Sequence, residues 1–146
     1  MLLARLLSKI FKKNGIVTAG NSSQTSDGAA FTLVVSEEIV NKLNLKPIAK
    51  MLSCAVGGVD PLYMGIGPVE AIPKALDQAG LKISDIEQTE LNEAFAAQVL
   101  PSAEETGIDH DKLNVNGGSI ALGHPFGMTG ARIMTTLING LEDADK

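Results

Sequence analysis

The stretch Asn116-Gly117-Gly118-Ser119-Ile120-Ala121-Leu122-Gly123-His124-Pro125-Phe126-Gly127-Met128-Thr129-Gly130 decides how the chain is read. An apolar run from Leu113 leads into it, glycines and a proline bracket one histidine, and a long segment of low charge follows. This pattern predicts a strand over Leu113–Leu122, a tight turn holding His124, and a helix over Pro125–Leu141. Between Lys112 and Glu142 the one formally charged side chain is Arg132, so both elements are expected to be covered by protein on most sides. Gly118 and Gly123 have the first spacing of a phosphate loop. His124 and Pro125, however, stand where that loop needs Lys and Ser or Thr, which argues against a nucleotide site.

Outward from this stretch the chain keeps alternating between apolar runs and capped periodic segments. Ala29–Val35 reads as a strand, and Ser36 before Glu37 and Glu38 reads as an N-cap with acids in the first turn of a helix to about Leu43. Pro47–Val56 is the next extended run. Pro68 suits the first turn of a helix that Gly80 ends, with Pro73 inside it. Ile86–Leu91 is a short strand, and Glu93–Thr106 a helix stopped by Gly107 and interrupted by Pro101. Strand and helix therefore alternate four times, the pattern of an α/β layered sheet. Gly65-x-Gly67 lacks the third glycine of a dinucleotide fingerprint, since Glu70 occupies that position.

A chain of 146 residues, 45% apolar and 20% charged with 15 glycines, has the composition of one ordinary globular domain, as domains run to roughly 100–200 residues. Disorder, collagen and disulfide scaffolds are excluded by the same figures. The single cysteine, Cys54, has no intramolecular partner and no Cys/His cluster offers a zinc site, so a reducing compartment, the cytoplasm, is expected and no metal. Aromatic residues make up 3% and the net charge is −5, which argues against a nucleic-acid partner. Residues 1–26 carry +4 and the remainder −9. Leu2, Leu3, Leu6, Leu7 and Ile10 lie at helical spacing around Arg5 and Lys9, predicting a short basic amphipathic helix packed on the domain. No run of 18 apolar residues is present, so no membrane span is expected.

Two polar turns stand out as candidate sites. His124, between glycines and before Pro125, is either a structural side chain hydrogen-bonded to backbone or a catalytic imidazole. Asn92 and Glu93, where Leu91 gives way to a helix, are explained as a cap and a dipole-complementing acid. Two turns at strand ends of one α/β sheet can nevertheless face a common crevice. His110, among Asp109, Asp111 and Lys112, is expected to be solvated.

Several motifs together resemble the thiolases, the coenzyme A-dependent acetyltransferases and acyltransferases. They are Val17-Thr18-Ala19-Gly20-Asn21-Ser22-Ser23 with Asp27-Gly28-Ala29-Ala30, Gly65-Ile66-Gly67-Pro68, Asn92-Glu93-Ala94-Phe95-Ala96, Asn116-Gly117-Gly118 and Gly123-His124-Pro125. The resemblance runs from about Leu6 to Leu141. It implies a layered α/β thiolase-like fold, partial here, with residues 1–45 the end of the first half and 46–146 the C-terminal domain without its last strands. It implies two-step acyl transfer through a cysteine, with acyl-CoA or acetyl-CoA as substrate and no covalently bound cofactor. By the same resemblance His124 activates the nucleophile and helps bind the thioester oxygen, and Asn92 positions a water beside it. Ser23, Phe95 and Phe126 are implied to line the coenzyme A channel.

The departures from the family pattern matter as much. Neither of the family's two catalytic cysteines is among the 146 residues, and Cys54, in Leu52-Ser53-Cys54-Ala55-Val56, reads as a small buried core residue. Gln24-Thr25-Ser26 is a variation associated with 3-ketoacyl-CoA thiolases, while acetoacetyl-CoA and longer chains both stay open. Two expectations follow. One is a thiolase fragment whose chemistry needs a cysteine-bearing half, or a homo-oligomer. The other is a noncatalytic remnant or interaction module.

Overall fold

The computed structural model describes residues 12–144, so the amphipathic helix expected at Met1–Phe11 lies outside the described residues. Helix α1 spans Glu37–Leu43, where Ser36 Oγ accepts from Ile39 N at 3.3 Å and Asn44 closes the C-terminus in the left-handed conformation. Helix α2 spans Gly67–Ala79 with Pro68 in its first turn, and it continues through Pro73 to Gly80 at φ 68°. Helix α3 spans Ala96–Thr106, contains Pro101 and ends at Gly107 with φ 74°. Helices α4, Ser119–Leu122, and α5, Thr129–Asp143, complete the series of described α-helices. Gly80 and Gly107 sit where a Cβ would strain the backbone, which is why the two stops were readable in advance.

Helices α2 and α3 pack together, and α3 carries most of the buried apolar side chains. Val99, Ala103 and Ile108 form a small core, with Ser102 fully enclosed beside them. Gly65, in the turn before α2, lets that turn lie against α3, because a Cβ there would come within 2.9 Å of Gln98 Cγ.

The strands expected at Ala29–Val35, Pro47–Val56, Ile86–Leu91 and Leu113–Leu122 do not form ladders among the described residues. Three isolated bridges take their place: Ser22 with Phe95, Thr25 with His124, and Thr89 with Leu113. The last is parallel and is held by Thr89 N donating to Lys112 O and Asn114 N donating to Thr89 O, both at 2.8 Å. It ends at once because Asn114 turns into the left-handed region at φ 48° and Gly117 follows at φ 91°. The Asn114 side chain then supplies the pairing a strand would have given, accepting from Leu91 N at 2.8 Å and donating to Leu91 O at 2.9 Å. The second half of the expected strand is instead α4. The expected cover over this segment is partial: Thr129 and Gly140 are buried, whereas Leu122 and Phe126 are exposed.

Along 51–59 the burial alternates with period two, Ser53, Ala55, Gly57 and Val59 being half-covered and Leu52, Cys54 and Val56 exposed. The covered side lies on α2, where Ser53 Oγ donates to Ala75 O at 2.7 Å and a Cβ on Gly57 would come within 2.8 Å of Ala71 N. Cys54 falls on the other parity. The core position expected for it is therefore corrected to an exposed one.

Many large apolar side chains remain exposed. Phe31 is 93% exposed, Ile48 81%, Val56 86% and Leu62 86%. The accessible surface is 10633 Å², whereas a folded monomer of 15.2 kDa exposes about 7,100 Å². No helix among the described residues is long and apolar enough to cross a membrane.

Candidate active site

Three segments meet around His124. Residues 22–25 cross between the two polar turns. Ser23 N donates to Ala94 O at 3.0 Å on one side, and His124 N donates to Gln24 O at 2.9 Å on the other. This crossing holds Asn92 and His124 at fixed separation, and their side chains meet with Asn92 Nδ2 3.3 Å from His124 Nε2. Gly123 makes the approach possible: its φ is 101°, and a Cβ there would fall on the Ser26 hydroxyl.

The partners of the imidazole select between its two tautomers. Thr129 Oγ1 gives its proton to Pro125 O at 2.8 Å, so at His124 Nδ1, 2.7 Å away, it accepts. When the ring is neutral, Nδ1 then carries its hydrogen and Nε2 presents its lone pair toward the amide of Asn92. A nitrogen held in this form can take a proton from a thiol and afterwards donate the same proton to an oxyanion.

Asn92 and Glu93 do not cap α3, which corrects the simple explanation of both. The N-cap of α3 is Phe95, three residues beyond Asn92, and it makes no side-chain cap bond. Asn92 Oδ1 accepts from Ser119 Oγ at 2.6 Å. Glu93 serves the other short helix: Oε2 accepts from Ile120 N at 3.1 Å in α4, and Oε1 accepts from Asn114 Nδ2 at 2.8 Å. Gly118 is required beneath it, since a Cβ there would coincide with the Glu93 carboxylate.

Behind Asn92 the network ends in charge. Arg132 Nη2 donates to Ser119 Oγ at 2.8 Å, and Nη1 lies 3.9 Å from Glu90 Oε2, whose side chain is almost fully covered. Burial raises the Glu90 carboxyl above the ordinary glutamate range. The Arg132 guanidinium opposes that shift and the nearby Glu93 carboxylate adds to it.

The residues implied to line a coenzyme A channel are placed differently from one another. Phe126 is exposed, with its ring centroid 4.8 Å from that of His124 at 58°. It also borders an open cleft of about 350 Å³, together with Asp27, Gly28, Ala30, Pro125 and Met128. Ser23 Oγ donates to Ala94 O at 3.1 Å, and Phe95 pairs with Ser22. Both therefore tie the turns together, outside the residues bordering that cleft. His110 is exposed, in its expected acidic turn.

The site brings an imidazole and a side-chain amide together at the head of a glycine turn. Residues 45–146 match the family model for the thiolase C-terminal domain and residues 3–38 that for the thiolase N-terminal domain, so the chain belongs to the thiolase family. It is 55% identical to the 3-ketoacyl-CoA thiolase of Bacillus subtilis over 136 residues, covering 93% of this chain and 35% of that protein. It is 53% identical to the Escherichia coli 3-ketoacyl-CoA thiolase FadA, covering 98% of this chain and 38% of the relative. Among solved structures, human mitochondrial 3-ketoacyl-CoA thiolase superposes with a TM-score of 0.88 at 45% identity, covering 97% of this chain and 36% of that one. It has also been solved in complex with CoA. Bacillus anthracis acetyl-CoA acetyltransferase gives a TM-score of 0.93 at 44% identity, covering 99% and 36%. The fold is therefore a partial thiolase fold, and the chain spans a little over a third of the length of the relatives it matches.

Proposed function

We propose that the chain supplies the histidine and asparagine of a thiolase-type acyltransferase site. The reaction is CoA-dependent cleavage of a 3-ketoacyl-CoA, or the reverse Claisen condensation from acetyl-CoA, and the nucleophilic cysteine comes from a cysteine-bearing thiolase half. The observation that carries this reading is the meeting of Asn92 with His124 Nε2 at 3.3 Å, with Nδ1 committed to Thr129. In the proposed cycle Nε2 accepts the thiol proton, the thiolate attacks the substrate carbonyl, and the protonated ring and the Asn92 amide then face the oxyanion. The names of the relatives support an acyl-CoA substrate. Phe126 and the cleft beside it are the proposed entry for the coenzyme A portion, with Ser23 and Phe95 holding the turns behind it. The division at 45/46, placement in the reducing cytoplasm, and pairing with a cysteine-bearing half or a second copy belong to the same proposal.

The 146-residue chain alone is expected to catalyse neither thiolysis nor condensation, because no cysteine takes part in the hydrogen bonds at His124 and Asn92. Mixing it with a cysteine-bearing thiolase half should restore thiolysis of acetoacetyl-CoA or a longer 3-ketoacyl-CoA. Thiolysis by the chain alone that Cys54→Ser abolishes would contradict the role given to the partner. A stable mixed complex without activity would favour the noncatalytic module, the reading to which the broad apolar surface also lends support.

A further inference from the structure

The hydrogen bonds behind Asn92 run in one direction from end to end. Arg132 can only donate, so the lone pair of Ser119 Oγ is taken by Nη2 and the hydroxyl proton goes to Asn92 Oδ1. With Oδ1 so engaged, Nδ2 faces His124 Nε2, which must accept. Nδ1 then donates to Thr129, and Thr129 to the Pro125 carbonyl. Every donor in this series points from Arg132 toward Pro125. Ser119 is fully enclosed, so no solvent competes for its proton.

We infer that Ser119, polarised by Arg132, is a positioning residue that fixes which way the Asn92 amide faces and thereby holds the lone pair of His124 on Nε2. The inference deepens the acyl-transfer reading and rests on it for its catalytic meaning. An Asn92 amide turned over would offer Oδ1 to Nε2 and favour the form that carries its hydrogen there, which is the form unable to take a proton from a thiol. The Thr129 contact biases the ring from the far side, so the Ser119 contribution is a share of the control.

The test reads the ring itself. In the full chain, labelled with nitrogen-15 histidine, His124 should give a pyridine-type resonance at Nε2 and a pyrrole-type one at Nδ1, with the exposed His110 as internal reference. Ser119→Ala should lose part of the pyridine-type signal at Nε2 while the backbone amide spectrum is kept. Asn92→Asp, which can only accept, should turn Nε2 pyrrole-type. An Nε2 signal unchanged by Ser119→Ala in a folded chain overturns the inference. Should that variant not fold, Ser119→Cys, close in volume and a weak donor, is read by the same criterion. The ring spectrum needs no substrate, so reconstituted activity that never appears would overturn the acyl-transfer reading and leave the ring result standing.

Discussion

His124 and Asn92 divide the proposed work unequally, and substitution should reveal the division. In an enzyme reconstituted with a cysteine-bearing half, His124→Ala removes the base and an oxyanion donor together, whereas Asn92→Ala removes one donor. Loss of one such donor typically costs about 10²–10³ in turnover, so Asn92→Ala should stay within that range and His124→Ala should exceed it. Equal effects in a kinetic comparison of the two would contradict the assignment. Asn92→Asp leaves the start of α3 untouched, since Asn92 is not its cap, and so isolates the contact with His124. Glu90 offers a different measurement. Its carboxyl is raised above the usual range chiefly by burial, so the folded state binds its proton more tightly than the unfolded chain does. The stability it contributes is present below the unfolded value of about 4.3 and declines as pH rises through the folded value. Relative to Glu90→Gln, the native chain should therefore lose stability as pH climbs out of the acidic range, and a constant difference in melting temperature would refute this. Asn92 and His124 were legible because turn residues beside glycines stand out along a chain. Ser119, Thr129 and Glu90 were not, since their roles come from contacts between distant segments. Arg132 had left a trace, as the lone charge in an otherwise uncharged stretch.

Helix ends were readable wherever a local cap defines them, as at Ser36, Gly80 and Gly107. The start of α3 was not, because Asn92 and Glu93 have the chemistry of caps but spend it on His124, Ser119, Asn114 and α4. The expected strands failed for a related reason: a ladder needs a neighbour in register, and the Leu113 run turns away at Asn114 and Gly117 while a side chain satisfies Leu91. Glu93 thus holds α4 in place of a local cap, and α4 carries Ser119. Gly118→Ala, whose Cβ would displace the Glu93 carboxylate, should release Ile120 N and Asn114 Nδ2 together. A loss of about 1–3 kcal/mol is expected from overpacking and unmet polar groups. Urea denaturation measures it, and a neutral result would mean that α4 stands without Glu93.

At the scale of the whole molecule, the surface exceeds that of a compact monomer of this mass, and the excess includes Phe31, Ile48, Val56 and Leu62. Apolar surface on this scale drives association, so in sizing experiments at tens of micromolar, on the order of concentrations where exposed apolar surface aggregates, the chain should self-associate or bind a cysteine-bearing thiolase half. A clean monomer would contradict this. Cys54 reports on which surface is used, because it lies on the outward parity of 51–59 between exposed Leu52 and Val56. Without denaturant, the single thiol of the dissociated chain should react with a thiol reagent at close to the rate of a free cysteine. Covering this face should slow the reaction, and Val56→Asp should weaken association and restore the rate. A thiol that stays silent until the dissociated chain unfolds would return Cys54 to the core. A thiol equally reactive in the free chain and in the complex would move the association surface away from 51–59, toward the exposed Leu62 and its neighbours before α2.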